Sequence, residues 1–257
     1  MGKHFSLIST AQTLWQSGLF AFTSRTLADL LNIDAVQAAH LLARMEAQGL
    51  VVKLERGKYL LLGLSPERTL SNPLFIGSQV LSPAYISFWS ALHFYGFTEQ
   101  VPQTVFVATT RRKSNLAFQG VNLFFVTIPS YQMFGYQREM HGDLPIVIAD
   151  KAKAILDSLQ RPQYAGGLSE VAKSLSNALA DLDLLTLITY ANQMRNLSLG
   201  SRLGYLLGVL GITVEGLEVS RCPVNLDPEK PRHGVFDSRW RVYANLPLQS
   251  LFPQGIG

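Results

Sequence analysis

Apolar positions along the chain repeat first in helical steps, then in strand-like runs, then in helical steps again. Leu7, Ala11, Leu14 and Trp15 share one stripe of a helix over residues 6–18 that Gly18 closes, with Trp15 in the core. Thr23 to Leu31 predicts a short second helix, followed by a turn at Asn32 to Asp34. Asp34 is placed to cap the next helix, because its carboxylate can accept the free N–H groups of the first turn. Ala35 to Gln48 is built from residues that tolerate helix and stops at Gly49. Ala38, Leu41, Leu42 and Met45 fall on one face of it, and Gln37, His40 and Arg44 on another. Leu50 to Glu55, the basic turn Arg56-Gly57-Lys58 and Tyr59 to Leu62 then read as strand, turn and strand. Helix, turn, helix and wing predict a winged helix-turn-helix over residues 1–63.

Pattern is lost over residues 64–80, where prolines and serines break any period, so a linker and a domain boundary are expected there. Leu74, Phe75 and Ile76 are too apolar for a free tether and are expected to pack on the second domain, residues 81–257. Tyr85 to Gly96 predicts a helix with Ile86, Trp89, Ala91, Leu92 and Phe94 buried and His93 a hydrogen-bonded structural histidine. Val105–Thr109 and Asn122–Thr127 read as strands, and Phe134–Glu139 with Leu144–Ala149 as a hairpin. Together they predict a small sheet of about four strands. Helices follow over Lys151–Leu159 (capped by Asp150), Ser169–Ala180, Asp183–Met194 and Leu199–Leu210. Asp157 is expected at an exposed position. Beyond Pro223 the chain reads as irregular, with one strand at Trp240–Ala244. The fold class expected is α/β (α+β): an N-terminal winged helix-turn-helix plus a C-terminal domain with a small sheet and several helices.

Composition narrows the chemistry. The chain of 257 residues can bury two cores, and with 47% hydrophobic and 16% charged residues it is globular. The net charge of +4 is compatible with a nucleic-acid partner without establishing one. Basicity in residues 1–63 is local, with six cations against four carboxylates. A recognition helix needs one face that buries apolar area and another that offers side chains to base edges. Gln37, His40 and Arg44 are therefore the candidates for the major groove. Arg25, Lys53, Arg56 and Lys58 are the candidates for phosphate or the minor groove. Arg111, Arg112 and Lys113 form the densest charge cluster, a candidate contact to phosphate or to an acidic partner.

The single cysteine, Cys222, leaves no internal disulfide and suits a reducing compartment. The N-terminus lacks a signal-peptide core, and its Gly2-to-Ser6 match to a myristoylation pattern is read as coincidence. Apolar runs such as Leu184–Tyr190 are too short to span a bilayer, so a cytoplasmic protein with no membrane partner is expected. No glycine-rich phosphate loop, zinc spacing or nucleophile elbow is present, and the five histidines have no fixed spacing. A metal-dependent nuclease would have to draw on Asp143, Asp150, Lys151 and Asp157, of which Asp150 is better explained as a cap. No enzyme activity, cofactor or metal is expected.

Several stretches of the second domain resemble the AbiEi group of antitoxins. They are Tyr85 to Gly96 (YISFWSALHFYG) with Pro102 and Thr109 to Lys113 (TTRRK), Ile148 to Asp157 (IADKAKAILD) with Arg161-Pro162 and Gly166-Gly167, and Arg202 to Gly211 (RLGYLLGVLG). With the N-terminal elements, the resemblance covers about residues 6 to 215. The chain departs from that group where Asp150-Lys151 stands in place of a Glu-Lys pair, which argues against a catalytic role there. The resemblance implies an antitoxin that represses its own promoter through the winged helix. Its C-terminal domain would counter a nucleotidyltransferase-type toxin, without requiring a stable complex. An alternative class is a winged-helix regulator whose C-terminal domain senses a ligand or partner, with no toxin.

Overall fold

The structure, a computed structural model, describes residues 6–252. The Gly2 pattern lies outside the described residues. The chain forms a mixed α/β fold of two compact units. One is built from residues up to Ser82 together with Ala117–Val121 and Met140–Ile146, and the other from the remainder.

The first unit begins with α1 (Leu7–Gln16), β1 (Ala21–Thr23), α2 (Ser24–Leu31), α3 (Ala35–Ala47), β2 (Val51–Glu55) and β3 (Lys58–Leu61). The three strands form an antiparallel sheet in the order β1-β3-β2. Local chemistry sets each boundary. Thr23 caps α2 by accepting from the Thr26 N–H at 3.1 Å, and Asn32 ends it in the left-handed region. Asp34 accepts from the Gln37 N–H at 2.8 Å, while the Gln37 carbonyl oxygen accepts from the Asp34 N–H at 3.4 Å, a reciprocal capping box. Gly57, with φ +75°, permits the two-residue turn that pairs Glu55 with Lys58. Leu14, Leu27, Leu41, Leu42, Met45 and Leu61 are all buried in one core. Each such side chain contributes roughly 1.5–3 kcal/mol by leaving water.

Residues 64–80, expected as a linker, instead carry α4 (Pro66–Leu70) and α5 (Pro73–Gln79) of this same unit. Phe75 and Ile76 are fully buried, and Phe75 meets Phe20 edge-on at 5.3 Å. Prolines at the first helical positions start these short helices rather than break them. The chain divides between Ser82 and Pro83, and Phe75 and Ile76 belong to the first unit.

The remaining elements are β4 (Ala84–Ile86), α6 (Phe88–Phe94), β5 (Thr104–Thr109), β6 (Leu116–Phe118), β7 (Val121–Thr127), β8 (Tyr136–His141) and β9 (Leu144–Ala149). Four helices follow: α7 (Lys151–Gln160), α8 (Leu168–Ala178), α9 (Leu184–Gln193) and α10 (Leu197–Val209). The chain closes with β10 (Val224–Asn225), β11 (Val235–Asp237), β12 (Val242–Ala244) and α11 (Leu248–Leu251). The main sheet has six strands, β6-β7-β5-β4-β9-β8, not four. Its β4 falls where a continuous helix was expected. Ala84, Tyr85 and Ile86 are buried on both faces, so they carry no alternation to betray a strand. His93, expected as a hydrogen-bonded structural histidine, is exposed on the last turn of α6. The tail, expected to be irregular apart from one strand at Trp240–Ala244, contains a third sheet, β10-β12-β11, whose central strand β12 falls within that stretch. Among the described residues no helix is long and apolar enough to cross a membrane.

Candidate nucleic-acid interface

The candidate interface lies on α3 and the β2–β3 hairpin of the first unit. Ala38, Leu41, Leu42 and Met45 fix α3 to the core, which leaves Gln37, His40 and Arg44 exposed on its outer side. Gln37 is partly committed, since its carbonyl oxygen serves the capping box and its amide N–H group remains the outward donor. Val36, 66% exposed, precedes His40 by one helical turn and was not singled out by charge or polarity. Its phase was the available signal: Val36 is apolar but falls off the buried stripe. An exposed Val beside polar donors can meet a thymine methyl group.

The hairpin separates its cations. Lys53 and Arg56 are exposed. Lys58 is half-buried, and its ammonium donates to the Val80 carbonyl. Of the basic residues expected to face phosphate, Lys58 is thus turned back onto its own unit. Arg25 is exposed at the start of α2. Arg111 and Arg112 are exposed in the bend after β5, in the second unit, while the Lys113 ammonium sits 5.5 Å from the centroid of the Phe125 ring. The Arg111 N–H donates to the Thr109 hydroxyl at 3.2 Å, which anchors this bend to the strand end.

The carboxylates considered for metal chemistry are each engaged elsewhere. Asp143 pairs with Arg68, and Lys151 with Asp181 at 3.0 Å. Asp150 caps α7 by accepting from the Lys153 N–H at 2.8 Å. Burial raises the Asp150 carboxyl above its ordinary range, although the Lys153 N–H and the Tyr190 hydroxyl hold it down. Asp157, expected to be exposed, is 2% exposed. The reason is that α7 is buried nearly all round, so its polar residues must satisfy one another. Asp157 pairs with the fully buried Lys153 one turn earlier and accepts from the Ser87 hydroxyl at 2.7 Å and the Tyr85 hydroxyl at 3.0 Å. Burial first, then the adjacent Asp157 charge, pushes the Tyr85 hydroxyl well above the usual phenol range. Among the described residues no cluster of His, Cys, Asp and Glu is placed to hold a metal ion.

No protein-family model and no curated protein matches the chain. Among solved structures, it is similar to that of the RV2827C protein from Mycobacterium tuberculosis. The TM-score is 0.55 at 14% identity, over 92% of this chain and 90% of that one. At this identity the likeness is one of fold.

Proposed function

We propose that this chain is a cytoplasmic, DNA-binding transcriptional autorepressor that also serves as an antitoxin against a nucleotidyltransferase-type toxin. The observation that carries the DNA-binding part is the outer face of α3. A helix anchored by Ala38, Leu41, Leu42 and Met45 presents Val36, His40 and Arg44 outward. The element order helix, strand, helix, helix, two-stranded hairpin supports the reading of this region as a winged helix-turn-helix. Val36, His40 and Arg44 would read base edges, and Arg25, Lys53 and Arg56 would hold phosphates. Lys58 enters this reading as a support of the hairpin. The antitoxin part rests on the AbiEi-like stretches, which lie on β4–α6–β5, α7 and α10 of the second unit. The chain acts here as a binder, with no catalytic residue of its own.

Growth rescue tests the proposal. The neighbouring gene is expressed alone, with the full chain, and with the full chain carrying Arg44→Ala and Arg56→Ala. The expected outcome is arrest by the neighbour, relief by both forms of this chain, and repression of the promoter by the unaltered form only. A harmless neighbour, or arrest that the unaltered chain does not relieve, removes the antitoxin part.

A further inference from the structure

The segments that flank and connect the strands of the C-terminal sheet, β10-β12-β11, carry a dense group of exposed cations. Arg221, Lys230, Arg232, Arg239 and Arg241 all lie within one short segment and are exposed. Among the described residues none of the five is in an ion pair. Two of the segment's three carboxylates are turned to the backbone. Asp227, buried, accepts from the Glu229 N–H at 3.0 Å, and Asp237 accepts from the Trp240 N–H at 2.8 Å. Glu229 remains as the exposed acid of the segment. The surface charge is therefore positive, and it is not neutralised from within.

Aromatic rings are interleaved with these cations. The Arg232 guanidinium lies 5.1 Å from the centroid of Tyr243, and that of Arg239 lies 4.9 Å from the centroid of Trp240. Phe236 pairs with Tyr243 across the strands, with ring centroids 4.9 Å apart. Arg232, Tyr243 and Phe236 thus form a row of guanidinium and ring faces. Its last member, Phe236 on the outer strand β11, is 36% exposed. The platform beneath is firm. Arg232 also donates to the Asn225 side chain at 3.0 Å, and Trp240 packs onto Gly204 of α10.

We propose that this surface binds single-stranded nucleic acid. Unpaired bases expose π faces that stack on an aromatic row without sequence preference, and guanidinium groups beside the row meet the phosphates. An acidic peptide would satisfy the charges but make no use of the ring faces. The site lies on the second unit and is independent of the duplex-binding face proposed for α3.

Fluorescence anisotropy of the full chain with a short labelled oligothymidylate, and separately an oligouridylate, tests this. The unaltered chain should bind both in a salt-dependent manner. Phe236→Ala should weaken binding about tenfold. Arg239→Gln should weaken it and lower the salt slope by about 0.7. Val235→Ala, on the opposite face of β11, and Arg44→Ala, in the first unit, should both bind as the unaltered chain does. Circular dichroism melting verifies that each variant is folded. The proposal is overturned by absence of oligonucleotide binding at low salt, by a folded Phe236→Ala of unchanged affinity, or by loss of binding on Arg44→Ala. The last result would place the oligonucleotide on the first unit. Failure of promoter binding by the unaltered chain leaves these readouts intact, since no duplex enters the measurement.

Discussion

Lys153 and Asp157 set the terms at the scale of single residues. Both charges are buried on α7, and the pair is tolerated because the Ser87 and Tyr85 hydroxyls fill the remaining acceptor sites of Asp157. Such a pair adds little net stability over apolar residues of the same volume, but removing one partner strands the other charge. Asp157→Ala should therefore cost about 3–5 kcal/mol in urea unfolding. Lys153→Met combined with Asp157→Leu should recover only part of that loss, because the Ser87 and Tyr85 hydroxyls then lose their acceptor. A single variant as stable as the unaltered chain would show that the pair is not buried. Asp150 gives a pH dependence. Its folded carboxyl titrates higher than an unfolded one, so the protonated form favours the fold and that contribution fades as pH rises through the folded value. Asp150→Asn keeps an acceptor for the Lys153 N–H but does not titrate. Relative to Asp150→Asn, the unaltered chain should lose stability as pH climbs from about 4 through the mildly acidic range. Parallel urea midpoints at every pH would contradict this. In the sequence, Asp150 stands out as a cap, whereas Asp157 looks solvent-exposed. A carboxylate one turn from a lysine is the ordinary pattern of an exposed helix, and only the burial of the whole helix reverses it.

Elements were legible where local chemistry and periodicity agreed. For α3, the Asp34 cap, the four-residue apolar stripe and the closing Gly49 point to one helix, and it runs Ala35–Ala47 against an expected 35–48. The helices after Asp150 and Asp183 start at their caps for the same reason. The strands that escaped were short or buried on both faces. β4 hides in an apolar run that a helix fits equally well, and β10 and β11 have too few residues to show alternation. Glycines of α10 also carried information that periodicity could not use. A Cβ on Gly204 would clash with the Trp240 ring, so this glycine is where the turn between β11 and β12 packs onto the helix. Gly204→Ala should destabilise the chain by about 1–3 kcal/mol, as overpacking does. It should also shift Trp240 fluorescence towards that of a solvated indole. Unchanged stability and emission would mean that the sheet does not rest on this helix.

At the scale of the whole chain, the two units offer different surfaces. The first presents a capped helix and a hairpin with outward Arg and His side chains, the face proposed to meet a DNA groove. The candidate interface was largely visible in the sequence, because residues off the buried stripe of α3 must point outward. Two of its features were not. Val36 lacked the polarity that marks a contact, and the inward turn of Lys58 depends on Val80, which is 22 residues away. The measurement that tests the central claim most directly is the affinity of the full chain and of Arg44→Ala for the chain's own promoter and for an unrelated duplex, over a range of salt. The account predicts a promoter preference and salt-dependent binding to both. It also predicts a loss of about 1–3 kcal/mol for Arg44→Ala on the promoter, with little change on the unrelated duplex. Binding that shows no salt dependence, or no preference for the promoter, would contradict it.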